Sequence, residues 1–388
     1  MNNNRIISEK IYLFTLFAWV VITSLVTTTY FGRLDGFILL YRPIIYFTII
    51  ILLFKELINL PRTLFYFNVH WKQLLIVILL IFSMFIISKN RDGILNISVL
   101  FLVFSARDID YKKLLCTFSV ATFTVLLITV LSSNMGIISN MLMNVNGGYR
   151  YSLGFTYVSF ASQRLFFAIC SYLMFKDKRT TYLEMLFLLL LTIYFYKQTS
   201  TSSPFYLSII VLAYALISLK VVKRDIILKS IFLSNIAKFS YLISLCIVLF
   251  FCFYSSGEFF HLIDQFTHNR LRLSVEGFQN FGVHLFGQRI SFKTLDIFGN
   301  FTSEYNFIDS SFVQLFVIDG LIVAGFMLFA ITNVMKYFLS IRKDIVLACL
   351  GIMIIHGMFD PQMLVLQYSP LILLISRLFV INSNNRIE

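Results

Sequence analysis

Leu114-Leu-Cys-Thr-Phe-Ser-Val-Ala-Thr-Phe-Thr-Val-Leu-Leu-Ile-Thr-Val-Leu-Ser-Ser133 runs for twenty residues without a charge. At about 1.5 Å per residue such a helix is about 30 Å long, the thickness of a bilayer's hydrocarbon core. Similar runs recur over 11–30, 37–54, 73–88, 93–105, 157–175, 182–197, 204–221, 239–254, 311–331, 345–359 and 362–381. The expected fold is therefore all-α: a polytopic transmembrane helical bundle of about 12 spans in one integral membrane domain, 1–388. The 93–105 run is short for a span and is expected to be tilted or re-entrant. The run at 11–30 is too long for a signal-peptide core and lacks a small-residue cleavage site after it, so it reads as a retained first span.

Composition agrees. The chain is 59% hydrophobic and 13% charged, against about 25% charged in soluble domains, because an ionised group at the bilayer centre costs about 2.5–3.5 kcal/mol or more. The net charge of +13 would suggest a polyanion partner in a soluble protein. Here it follows topology. If both termini are cytoplasmic, each inside segment holds at least two Lys or Arg, from Arg5 and Lys10 to Arg377 and Arg386, as the positive-inside rule requires. No nucleic-acid partner is expected; the bilayer is, and with it a bacterial cytoplasmic (inner) membrane location. The five cysteines, Cys116, Cys170, Cys246, Cys252 and Cys349, lie in or at apolar stretches without metal-ligand spacing.

Two external loops are long, 134–156 and 255–310. A transporter needs no loop as large as the second, whereas an enzyme working at the outer leaflet does. Within it Leu271, Val275, Phe278 and Gly282 recur at helical spacing, with Arg272 and Glu276 four apart. This predicts an amphipathic helix on the membrane surface. Its arginines serve either as interfacial anchors or as a site for a phosphate-bearing head group, for which the guanidinium fork is suited. Asp309 stands at the opening of the tenth span, either as a helix cap or as a chemical group. Arg150 lies in the other long loop among glycines. Inside spans stand Arg42, Arg164, Asp319 and His356; Arg164 and Asp319 lie at similar depth, where they could pair, in either a structural or a catalytic role. Asp108-Ile-Asp110 matches a metal-binding D-x-D but sits on a short cytoplasmic turn with no nucleotide-binding domain, and Asp35 has no second carboxylate beside it. No metal is implied, and no Walker, G-x-S-x-G or H-E-x-x-H motif occurs.

Taken in order, Arg150-Tyr-Ser-Leu-Gly154-Phe155-Thr156, the Arg270–Phe281 segment leading to Leu285-Phe-Gly-Gln288, Phe307-Ile-Asp309-Ser310-Ser-Phe312 with Gly320 beyond, and His356 with Pro370 resemble the Wzy-type polysaccharide polymerases. That family lies within the superfamily of O-antigen polymerases and ligases. The span layout resembles it over most of the chain. Two positions depart: Tyr157-Val158-Ser159 replaces the family's His-Pro-Asn, and Thr199-Ser-Thr-Ser202-Ser203-Pro204 lacks the usual Ser-Arg. In the related ligases that arginine contacts lipid diphosphate; Lys197, Arg150 and Arg164 are the candidate substitutes.

The resemblance implies a glycosyltransferase that joins undecaprenyl-diphosphate-linked oligosaccharide repeat units into a surface polysaccharide outside the membrane, without cofactor or metal. Flippase and chain-length regulator of the same pathway would be its partners. The roles implied are Arg270 and Arg272, with Arg150, for the departing diphosphate, and Asp309 as base, with His356 or Glu276 in reserve. Arg164, Gln288 and Lys197 complete the candidate substrate contacts. The competing expectations are a flippase or exporter of lipid-linked oligosaccharide, and a ligase that moves a finished glycan.

Overall fold

In a computed structural model the described residues are 2–145, 148–254, 256–294 and 305–379. Five helices come first: α1 (Asn2–Leu25), α2 (Asp35–Val69), α3 (Trp71–Asn90), α4 (Gly93–Ser105) and α5 (Tyr111–Asn134). A hairpin of β1 (Leu142–Val145) and β2 (Gly148–Tyr151) pairs Met143 with Arg150. There follow α6 (Phe160–Lys176), α7 (Tyr182–Thr199), α8 (Ser202–Leu216), α9 (Ile231–Lys238), α10 (Ser240–Tyr254), α11 (Gly257–Phe266) and α12 (Arg270–Phe281). The described residues end with α13 (Ser311–Gln314), α14 (Leu321–Ser340), α15 (Asp344–His356) and 3₁₀ turns over Pro361–Leu364 and Pro370–Phe379.

The structure is all-α apart from the hairpin. Among the described residues six helices are long and apolar enough to cross a membrane, or seven if α9 and α10, bent by 66°, form one broken span. This is consistent with a multi-pass membrane protein. It is fewer than the expected count of about 12, for identifiable reasons. At 13 residues each, α4 and α15 are about 20 Å long. The tenth expected span breaks at Gly320, where a π turn over Leu315–Asp319 ends and the chain takes φ +90°. The last is 3₁₀ rather than α. The loop expected between the second and third spans is helical, since α2 runs on to Val69.

Local chemistry sets the helix starts. Asp110 accepts from the Lys112 amide to open α5, and Thr181 with Glu184 forms a capping box on α7. Asp108 is tied to Lys55 at 2.7 Å, so both carboxylates of the D-x-D triplet are engaged in the fold. The central helix is α6: every residue from Ala161 to Ser171 is buried, as befits a helix enclosed on all sides.

Charges collect at two ends of the bundle. Lys55, Glu56, Arg107 and Asp108 form a buried network, and Arg377 donates to the carbonyls of Ala106 and Ile109 beside it. Asp177 meets Lys343 and Lys112. All of these lie in segments assigned by the charge pattern to one side. Arg91, Arg150, Arg270, Asp309 and Asp360 gather at the other, beyond the Phe160 end of α6, a helix about 25 Å long.

Candidate functional site

Asp360 organises the site. Its chain leaves α15 and turns into the Pro361 3₁₀ segment, which aims the carboxylate back into the bundle. Gln163 of α6 donates to Oδ1 at 2.7 Å. Ser203, at the start of α8, donates to Oδ2 at 3.2 Å. Arg270, the first residue of α12, lies 3.2 Å from the same oxygen. His356, one turn earlier, lies 3.3 Å from it, fully buried and stacked on Phe166 with ring centres 4.8 Å apart. Ser311 fixes the backbone by donating to the Asp360 carbonyl at 2.6 Å. Four helices thus converge on one carboxylate that is 2% exposed. A buried charge held by a cation and several hydrogen bonds is tolerable where a lone one is not.

Arg270 also donates to the Phe359 carbonyl, yet its side chain keeps 26% exposure. Burial alone would lower its proton affinity; the carboxylates of Asp360 and Asp309 outweigh that and raise it. It is a fixed cation with one edge open.

Asp309 lies in the extended segment before α13. Ser310, rather than Asp309, caps the helix by accepting from Val313, so the capping reading of Asp309 does not hold. Asp309 itself has no hydrogen-bond partner among the described residues. Removal from water pushes its carboxyl up to about 6, with Arg270 pulling it down and Asp360 adding to the rise. Tyr157 feels the charges of Asp309, Arg150, Arg270 and Asp360 together, and Thr199, which accepts from Arg150, stands in the same turn as Ser203, which donates to Asp360.

Arg150 reaches the site from the hairpin. It donates to the Thr199 carbonyl at 2.8 Å and to the Thr201 hydroxyl at 3.2 Å. That turn, Thr199–Ser203, has no arginine of its own, and the guanidinium arrives from the hairpin. Burial lowers its proton affinity, Tyr157 opposes this, and the like charge of Arg270 adds to the lowering.

Other candidates fall outside this cluster. Arg272 and Glu276 pair with each other at 3.7 Å on the exposed face of α12, with side chains 57% and 43% exposed. The helix is amphipathic as expected, with Leu271 and Phe278 buried, but Arg270 lies on its inner side and Arg272 on its outer. Lys197 is exposed at the end of α7 and has no partner among the described residues. Gln288 is a brace, donating to the Phe281 carbonyl at 2.6 Å and, through its amide, to Ile318 at 2.9 Å. Gly287 and Gly320 meet backbone to backbone: a Cβ on Gly287 would stand 2.0 Å from the Ile318 carbonyl oxygen. Gly147 and 295–304 of the long loop lie outside the described residues.

Arg164 and Asp319 do not pair. Arg164 is fully buried under Tyr368, 4.1 Å from its ring centre, and donates to Ser24, Thr27 and the Gln367 carbonyl. It braces the core. Asp319 instead holds Arg91 through two 2.8 Å bonds. Similar depth is a poor guide to azimuth around a bundle, and Arg91, in the turn after α3, lies close enough to reach in.

Sequence reasoning missed Asp360 as the hub, together with Gln163, Ser203 and Arg91. The spacing of Asp360 from His356, one helical turn with proline following, was the available signal. Among the described residues no group of His, Cys, Asp and Glu is arranged to hold a metal ion. No protein family, curated protein or solved structure matches the chain in comparison.

Proposed function

We propose that the protein is a membrane glycosyltransferase that polymerises lipid-diphosphate-linked oligosaccharide repeat units at the external face of a bacterial cytoplasmic membrane, with both termini in the cytoplasm. The observation that carries this reading is that Arg150, Arg270 and Asp309 come from three distant segments to one end of the bundle: Arg150 donates to the Thr199–Ser203 turn whose Ser203 donates to Asp360, Arg270 pairs with Asp360 itself, and Asp309 lies within electrostatic reach of Arg270. Two fixed cations beside a carboxylate of raised proton affinity suit transfer from a diphosphate leaving group. The resemblance of the motif order to Wzy-type polymerases supports the same chemistry.

In this mechanism the hydroxyl oxygen of the acceptor sugar attacks the donor's anomeric carbon. The new glycosidic bond forms as the bond to the phosphate oxygen breaks, and that electron pair leaves with undecaprenyl diphosphate. The hydroxyl proton passes to Asp309, whose proton affinity is near that of an efficient base at neutral pH. Arg270 and Arg150 meet the charge that grows on the diphosphate. Asp360 does not touch substrate; it positions Arg270, as do Gln163 and Ser203 through it.

The test compares two neighbours on α12. Arg270→Ala should abolish long surface chains, a loss of about 100-fold or more for a donor aimed at developing charge, with normal protein in the membrane. Arg272→Ala should keep wild-type chain lengths. Long chains from Arg270→Ala would reject the assignment, and equal losses in both would return the α12 arginines to the role of anchors.

A further inference from the structure

Beside the Asp360–Arg270 cluster lies a cavity of about 180 Å³ that the mechanism leaves unused. The segments carrying Asp309 and Asp360 form the wall between them, for Ser311, Gln314 and Pro361 line the cavity while Gln314 donates to the Ile308 carbonyl at 2.7 Å and Ser311 to that of Asp360. Its outer edge is Arg91, partly exposed, and Asp92, exposed. Its inner wall is Trp19 and Met327, each 1% exposed, with Val99 beside them.

We propose that this cavity is a subsite for one neutral pyranose ring of the glycan, an inference that rests on the glycosyl-transfer reading. Size is the first argument. A 150 Å³ cavity in another protein holds benzene, so about 180 Å³ suits a single six-membered ring. Chemistry is the second. One flank is polar and held rigid: Asp319 and Gln314, both 4% exposed, grip Arg91 through its Nε, Nη1 and Nη2 atoms. A carboxylate offers about four lone-pair sites, and Asp319 uses two here, which leaves acceptors fixed for vicinal hydroxyls. The other flank is apolar and fits the C–H face of a sugar.

Charge is the third argument and it selects against the alternative. The charge of Arg91 is already met by Asp319, and Asp92 adds a second carboxylate. One cation against two anions disfavours a phosphate or a uronate and leaves a neutral ring. The π turn that carries Asp319 fits the same picture, since such turns cluster at functional sites.

The chain contains two tryptophans, Trp19 and Trp71, and Trp71 is 64% exposed at the start of α3, so Trp71→Phe leaves a single reporter in the cavity wall. In lipid nanodiscs free of sugar detergents, Trp19 emission is followed against the methyl pyranosides of glucose, galactose, mannose, N-acetylglucosamine, rhamnose and glucuronic acid, and against n-octanol. The expected result is a saturable shift with at least one neutral pyranoside, at least tenfold weaker with the glucuronide than with the glucoside if glucose binds. It should weaken at least tenfold in Val99→Phe, which fills the cavity, and several-fold in Asn96→Ala, which trims its polar edge. No response to any neutral pyranoside, or a response to octanol alone, overturns the proposal. Binding is read without turnover. A protein that binds pyranoside but never polymerises refutes the glycosyl-transfer reading alone, and one that polymerises but binds none refutes the subsite alone.

Discussion

Asp309→Asn separates a base from a spacer. The side chain keeps its size and loses only its charge. Because nothing hydrogen-bonds Asp309 among the described residues, the exchange leaves no donor orphaned. Its carboxyl is raised from an ordinary 3.8 to about 6, which corresponds to about 2–3 kcal/mol against the ionised form. A raised carboxylate favours the fold while protonated, and that contribution is lost as pH rises from about 4 through about 6. At pH 7 the variant should therefore melt no lower than wild type. The sign for activity is opposite, because the base must be ionised. At pH 5 only about one tenth of Asp309 is in the active form, so kcat/KM should fall about tenfold from its neutral plateau. In Asp309→Asn the rate at pH 7 should drop by about 10²–10⁴, and the acid limb near 6 should vanish. Repeat-unit consumption in detergent-free proteoliposomes across pH 4.5–8 measures both. An acid limb that survives in Asp309→Asn, or a rate within twofold of wild type, refutes the assignment of the base.

Two further outcomes test how the site is held. Asp360→Asn preserves an acceptor for Gln163 but removes the counter-charge of Arg270, 3.2 Å away; transfer should fall by about 10–100-fold, as for an outer partner of a functional group, and Asp360→Glu should recover part of it, while a mere packing role would show as lost thermal stability with unchanged rate per folded molecule. Gly287→Ala places a Cβ 2.0 Å from the Ile318 carbonyl oxygen at a φ of +65°; the joint between the 284–288 loop and α14 cannot relax without backbone movement, so folded yield in membranes should fall sharply, by several kcal/mol of stability, and wild-type yield would show that the joint is looser than described.

Legibility in the sequence followed the physics of each feature. The apolar runs were plain because hydrocarbon tolerates so few charges, and α1, α3, α5 and α8 appear near their expected places, whereas α14 starts ten residues later than the expected 311–331 run. Where the expectation of twelve spans exceeded the structure, the cause was tertiary: the 311–331 run is apolar throughout its middle, yet Gly320 must take a positive φ to meet Gly287, a contact 33 residues away that no window can see. Asp309 and Arg270 stood out only through the order of motifs, since the residues alone left a helix cap and an interfacial anchor open. Asp360 did not, because its importance lies in partners from α6, α8 and α12. Gln288 and Gly320, singled out as motif residues, serve a backbone joint, and the contact of Arg150 with the Thr199–Ser203 turn joins segments 49 residues apart, beyond the reach of any local pattern.

The central claim is glycosyl transfer with a lipid diphosphate leaving, and one reconstitution tests it most directly. Purified protein in liposomes is given an undecaprenyl-diphosphate-linked repeat unit on the external leaflet, with no nucleotide and with chelator present. The account predicts a ladder spaced by one repeat unit and one undecaprenyl diphosphate released for each bond formed. Substrate that only changes leaflet, without a ladder and without released diphosphate, would contradict it.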